Sequence, residues 1–162
     1  NYAFQDRENL YLVMDLMPGG DLRYHIGKLR RFTEEQTSTN RIADNNPLEF
    51  FVACVVAGLE YLHSNGILHR DIKPENLVFD SKGTPGSSKT HSVGYLRITD
   101  FGIARVWRPD NQNDTSGTPG YMAPEVMCRQ NHGVAVDYYA LGVIAYECML
   151  GRVIENIPKI IW

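Results

Sequence analysis

One apolar stripe constrains this 162-residue chain more than any other feature. Phe51, Val55, Leu59 and Leu62 recur at steps of three and four between Leu48 and His63, the spacing that puts side chains on one face of an α-helix. Asn65-Gly66 supplies the stop at its end. Two short apolar runs follow, Ile67-Leu68 and Leu77-Val78-Phe79, on either side of a stretch dense in charge. They read as short strands that hold the ends of a loop, so that several polar side chains can point into one cleft. Any fold must therefore set a long half-buried helix beside a rigidly held, charged loop.

The rest of the chain fits an α+β domain built around that unit. Leu10 to Met14 is an apolar run ended by Pro18-Gly19-Gly20, which predicts a buried strand and a turn. Asp21 follows, and its carboxylate is suited to cap a short helix running to about Lys28. Tyr95 to Thr99 alternates as a strand, and Val136 to Met149 is a second apolar helix ended by Gly151. Residues 30–49 are polar and read as a surface connection; Thr84 to Gly94 is Gly/Ser-rich and reads as an extra loop. Ile103 to Gly120 is irregular and long, a length usually kept for function.

Composition narrows the partners. Lys plus Arg number 16 against 19 Asp plus Glu, a net charge of −3, which leaves no basic footprint for nucleic acid or for a membrane surface. No apolar run is long enough to span a bilayer. Cys54, Cys128 and Cys148 are scattered without metal-ligand spacing, as expected of reduced thiols in an intracellular, cytoplasmic protein.

Three motifs carry chemistry: His69-Arg70-Asp71-Ile72-Lys73-Pro74-Glu75-Asn76 on the charged loop, Asp100-Phe101-Gly102 directly after a strand, and Gly117-Thr118-Pro119-Gly120-Tyr121-Met122-Ala123-Pro124-Glu125. In this order they resemble the catalytic loop, metal loop and activation-segment end of eukaryotic serine/threonine protein kinases. The resemblance runs from about Asn9 to Gly151 and implies a protein-kinase-like α+β fold, with a mostly helical C-terminal lobe, a hinge strand and short β-hairpins. It implies transfer of the γ-phosphoryl group of ATP to Ser or Thr hydroxyls of protein substrates, with Mg²⁺ or alternatively Mn²⁺ as the metal. Asp71 would then accept or orient the substrate hydroxyl's proton, Lys73 would touch the transferring phosphate, and Thr118 would bridge the two. Asn76 and Asp100 are the implied metal ligands, hard oxygen donors of the kind Mg²⁺ prefers. His69 resembles a buried structural histidine of that family rather than a catalytic one.

The same resemblance assigns a nucleotide site. Met14 would guard the back of the pocket, and Asp15, Leu16 and Met17 would be the hinge around residues 10–20. Val78 would lie under the ring with Thr99 just before the metal ligand, and Asp21, Lys73, Glu75, Asn76 and Asp100 would complete the ATP-facing set. Asp-Leu-Arg-Tyr-His after Gly19-Gly20 looks most like the AGC group and, within it, the YANK-type kinases. Asp21, Glu75 and Glu147 match positions where basophilic members face the peptide with acids, implying basic residues before the target hydroxyl. Arg70 beside Asp71 implies an activation segment (100–125) ordered by negative charge: a phosphate on Thr115 added by an upstream kinase, the favoured reading, or the carboxylate of Asp114 standing in its place. Residues 38–49 and 84–94 look inserted relative to the family, and the segment from Val153 to Trp162 departs from it. The family's glycine-rich loop, strand lysine and helix glutamate are not among these residues, which implies a partial domain, inactive when isolated. The competing reading is a non-catalytic kinase relative that acts as a binding or regulatory module.

Overall fold

The computed structural model describes residues 2–29, 47–80 and 94–150. The long helix forms as its periodicity requires: α2 spans Pro47–Ser64, and Phe51, Val55, Leu59 and Leu62 are all buried. Gly66 ends it with φ +70°, a left-handed conformation that costs glycine little. Pro47 to Glu49 already belong to the helix, so the expected loop 38–49 stops short of its predicted end. The remainder of that loop, nearly all of 84–94 and the segment 153–162 lie outside the described residues.

Helix α1 (Leu22–Leu29) starts where Asp21 was expected to cap it, with the Tyr24 N–H donating to Asp21 Oδ1 at 2.7 Å. The long C-terminal helix α4 (Ala135–Leu150) packs beside α2, and a short turn of helix, α3 (Pro124–Met127), precedes it. Leu22 and Ile26 of α1, the stripe of α2, and Ala140, Leu141, Val143, Ile144 and Cys148 of α4 close one apolar core with Phe79, Leu77 and Leu96. Burial in that core pushes the Cys148 thiol up to about 12, so it behaves as a small apolar side chain.

Among the described residues, three two-stranded antiparallel sheets complete the fold. Strands β1 (Tyr2–Gln5) and β2 (Leu10–Val13) form a hairpin in the register Tyr2↔Val13 to Gln5↔Leu10. The expected strand at Leu10 is therefore present but not buried: every residue of both strands is exposed, because they pair only with each other among the described residues. Strand β1 itself has no counterpart in the sequence reading.

The other two sheets bracket the motifs. Strand β3 (Ile67–Leu68) pairs with β6 (Arg105–Val106), and β4 (Leu77–Phe79) pairs with β5 (Leu96–Ile98) in the register Leu77↔Ile98. The charged loop leaves β3 and returns through a 3₁₀ turn, Pro74–Asn76, into β4. The segment carrying Asp100 leaves β5 and returns in β6. Helix α2 lies so close to β5 that a Cβ added at Gly58 would come within 2.9 Å of Ile98 Cδ1.

Candidate active site

The charged loop hangs from one buried acid. Asp137, on the first turn of α4 and 1% exposed, accepts the backbone N–H of His69 at 3.0 Å and that of Arg70 at 2.8 Å. It also meets His63 Nε2 at 2.8 Å. Arg70 has φ +68°, a conformation that costs a residue with a Cβ about 1–2 kcal/mol. The paired acceptors on Asp137 oppose that cost and fix the turn that delivers Asp71. His69 is fully buried, as expected of a structural histidine: Nε2 lies 3.0 Å from the Thr99 carbonyl, and its ring meets the edge of Phe101 with centroids 5.2 Å apart.

Asp71, Lys73, Asn76 and Thr118, expected to act together, are brought into one network. Lys73 Nζ donates to Asp71 Oδ2 at 2.8 Å and to Thr118 Oγ1 at 2.9 Å. Thr118 Oγ1 donates to Asp71 Oδ1 at 2.6 Å, and Asn76 Nδ2 donates to the Asp71 carbonyl at 2.9 Å and to Oδ2 at 3.1 Å. Burial pushes the Asp71 carboxyl up, but the bonds from Lys73, Thr118 and Asn76 and the lysine charge outweigh it and hold the group below the usual carboxylate range. The approach of the activation segment needs Gly117: with φ +145°, a Cβ there would sit 3.0 Å from the Arg70 carbonyl and 2.9 Å from Met122 Cγ.

The implied metal pair is adjacent. The Thr99 N–H and hydroxyl both donate to the Asn76 carbonyl, at 2.9 and 3.0 Å, so Asp100 follows directly on the residue bonded to Asn76. Asn76 spends its amide nitrogen on Asp71, which leaves its amide oxygen as the donor atom for a cation. Asp100 is exposed, with φ +60° and Oδ1 accepting from the Gly102 N–H at 3.1 Å. One buried amide oxygen and one exposed carboxylate are hard oxygens of the kind Mg²⁺ takes, with water and phosphate oxygens filling its shell.

The nucleotide set is only partly assembled. Asp21 and Val78 form an isolated bridge, and Gly19 and Gly20 exchange backbone bonds with Phe79 at 3.1 and 2.9 Å, which seats the turn after the hinge on β4. Asp15 and Met17 continue from β2 on that side, Met17 half-buried. Met14 is 70% and Leu16 85% exposed, so the described residues give them no wall to line. Asp21 Oδ1 caps α1, and Glu75 Oε1 accepts from Arg23.

Two charge clusters flank the network; the sequence offered Asp114 beside Arg70 as one alternative, but gave no sign of Arg23 among the acids. Arg23 Nε donates to Glu75 Oε1 at 2.7 Å, while its Nη1 and Nη2 reach Glu147 Oε1 and the Tyr121 hydroxyl. Tyr121 in turn donates to Glu147 Oε2 at 2.7 Å. On the other side, Asp114 Oδ2 lies 3.6 Å from Arg70 Nη1 and Asp114 Oδ1 lies 3.2 Å from Arg105 Nη1. Arg70 also donates through Nε to the Ile103 carbonyl at 2.9 Å. Thr115 is exposed beside this cluster, and Asp114 supplies the carboxylate that meets Arg70 in the unphosphorylated chain. Asn111 and His132 hold the segment from behind by reciprocal side chain–backbone bonds of 2.7 and 2.9 Å, and Trp107 Nε1 donates to the His132 carbonyl at 3.0 Å.

A carboxylate held between a lysine and a hydroxyl, with one hard oxygen donor, Asn76, on its own loop and another, Asp100, after the neighbouring strand, has the parts of a phosphotransferase centre. The family described as the protein kinase domain matches residues 1–157, and the chain belongs to it. The match reaches beyond the stretch from Asn9 to Gly151 that the motifs marked out. Similar proteins are serine/threonine kinases: a probable serine/threonine-protein kinase of Dictyostelium discoideum, 38% identical over 94% of this chain and 29% of that protein, and the human RAC-beta serine/threonine-protein kinase, 39% identical over 93% of this chain and 27% of that protein. Protein kinase 2 of Dictyostelium discoideum is 36% identical over 93% of this chain and 27% of its own length. The chain thus spans under a third of the relatives it matches.

Proposed function

We propose that this chain forms the catalytic face of a serine/threonine protein kinase that uses ATP and a divalent metal. The observation that carries the reading is Lys73 bridging Asp71 and Thr118 in one hydrogen-bonded triangle. In the reaction, the oxygen of a Ser or Thr hydroxyl bonds to the γ-phosphorus as the bond from that phosphorus to the β-phosphate's bridging oxygen breaks, leaving ADP. Asp71 orients the hydroxyl and takes its proton. Its depressed carboxyl stays ionised at neutral pH, so the acceptor is ready and the transfer rests mainly on positioning. Lys73 places positive charge beside the same point. Asn76 and Asp100 would hold the metal, which when bound neutralises charge on the phosphate oxygens. Met14, Asp15, Leu16, Met17, Val78 and Thr99 belong to the adenine side in this reading. The residues after Gly19-Gly20 carry its extension to the AGC group and the YANK-type kinases.

Asp114, already paired with Arg70 and Arg105, supplies the ordering charge in this reading, in place of a phosphate from an upstream kinase. A cytoplasmic setting fits the free thiols at Cys54, Cys128 and Cys148. None of the described helices is long and apolar enough to cross a membrane. The expected preference for basic residues before the target hydroxyl rests on Asp21, Glu75 and Glu147, each of which is engaged inside the chain.

The test is transfer of labelled phosphate from ATP to Ser and Thr peptides by the full-length protein. Asp71→Ala should keep nucleotide binding and lose turnover, whereas Asp100→Ala should lose magnesium-dependent nucleotide binding. Equal binding defects in the two variants would overturn the assignment of roles. Nucleotide binding without any transfer by the unsubstituted protein would favour the binding-module reading.

A further inference from the structure

Arg23 sits where a substrate's arginine was expected. Its guanidinium meets Glu75, which lies on the 3₁₀ turn four residues after Asp71, and Glu147, which is 3% exposed on α4. Its remaining Nη2 meets Tyr121, four residues after Gly117, and Tyr121 also donates to Glu147. Three elements distant in the chain thus converge on one guanidinium, and the planar fork satisfies both acids at once. Burial lowers the tendency of Arg23 to stay charged, but the bonds to Glu147 and Glu75 more than offset it and push its pKa up. Burial and Glu147 likewise push the Tyr121 phenol up, which keeps it a donor.

We infer that Arg23 is a specificity-determining residue: it fills the acidic subsite from within and removes the arginine requirement that Glu75 and Glu147 would otherwise impose on the peptide. The inference rests on the kinase reading above, which sets the peptide beside these acids. A substrate arginine would have to displace a guanidinium that already makes the same bonds, so the exchange adds no contact. The internal competitor is tethered by a single helix residue, with an effective concentration of about millimolar or more, whereas peptide substrates compete at far lower concentrations. The cluster also keeps only one net negative charge, two carboxylates against one guanidinium. The preferred substrates are therefore hydroxyl peptides without arginines upstream of the acceptor.

Peptide binding to the full-length protein, read by fluorescence anisotropy, tests this without relying on turnover. The probes are a labelled serine peptide with arginines before the acceptor and its counterpart with alanines there. The unsubstituted protein should bind the two within about threefold of each other. Arg23→Ala, and Arg23→Met which keeps the apolar stem, should favour the arginine peptide by about tenfold or more. Adding Glu147→Gln to Arg23→Met should abolish that gain. A tenfold arginine preference in the unsubstituted protein overturns the inference, and so does an unchanged ratio in a folded Arg23 variant. Phosphate transfer measured on the same samples judges the kinase reading separately: unchanged binding ratios with transfer intact overturn the inference alone, whereas absent transfer overturns the kinase reading on which it rests.

Discussion

Replacing Asp137 probes how the catalytic loop is held, and its cost follows from the bonds it makes. The carboxylate accepts two backbone N–H groups and faces His63, and it is buried. In Asp137→Asn one oxygen remains, so one of the two N–H groups keeps its acceptor and the other faces an amide NH₂. With the NH₂ in the Oδ2 position, His63 Nε2 accepts from it once its proton moves to Nδ1. One orphaned backbone donor costs about 1–3 kcal/mol, so the variant should fold with stability lowered by about 2 kcal/mol against a typical total of about 5–15 kcal/mol. Asp137→Ala orphans both donors and should cost about twice as much. The functional loss should be larger than the stability loss suggests. Arg70 has φ +68° and its N–H is held by Asp137, and a shift of the loop by about 1 Å can cost about a hundredfold in rate. Urea unfolding of the full-length protein gives the stability change, and labelled phosphate transfer gives the rate. A change below about 0.5 kcal/mol in Asp137→Asn, the scatter of ordinary surface substitutions, or an alanine variant no worse than the asparagine one, would refute the argument.

Asp114→Asn should lower turnover about tenfold or more by leaving Arg70 and Arg105 without their shared acid, while Thr115→Ala and phosphatase treatment should each change it less than about twofold; a phosphatase-sensitive activity lost in Thr115→Ala would return the switch to the threonine. Lys73→Met removes the strongest of the effects that hold the Asp71 carboxyl low, so a carbon-13 NMR titration should find that carboxyl titrating at higher pH in the variant. The sign follows from linkage: a depressed folded pKa means stability fully present above about pH 4 and lost as the pH falls through the folded value. The variant should therefore be less sensitive to acid unfolding than the unsubstituted protein, and an unmoved titration would remove Lys73 as the cause.

The periodic parts of this fold were legible because burial repeats. The stripe of α2 and the apolar run of α4 gave their spans to within a residue or two, and Asp21 gave the start of α1. The network around Asp71 was legible because its members lie within a few residues of one another, Thr118 excepted, and the family pattern supplied that one. Hydropathy misled at Leu10 to Val13, where it implied burial and the hairpin is exposed. The partners of Arg23 lie 52 and 124 positions away in sequence, beyond any local pattern, so Glu75 and Glu147 looked available when they were not. Asp137 could have been found. It and Glu147 are the only charged residues within Ala135–Leu150, and both are buried. An acid inside an apolar helix needs a donor, and the exposed backbone of a left-handed turn is one.

The pairing of β3 with β6 and of β4 with β5 has a mechanical consequence. The loop bearing Asp71 and the loop bearing Asp100 are two arches standing on the same pair of footings. The arches are also tied to each other: Thr99 in the second donates twice to the Asn76 carbonyl in the first, and Arg70 in the first donates to the Ile103 carbonyl in the second. Asp71 and Asp100 therefore sit on one braced unit rather than on two independent loops. A displacement of the footings themselves would move both together. The order in which four very short strands pair thus couples the positions of the two loops.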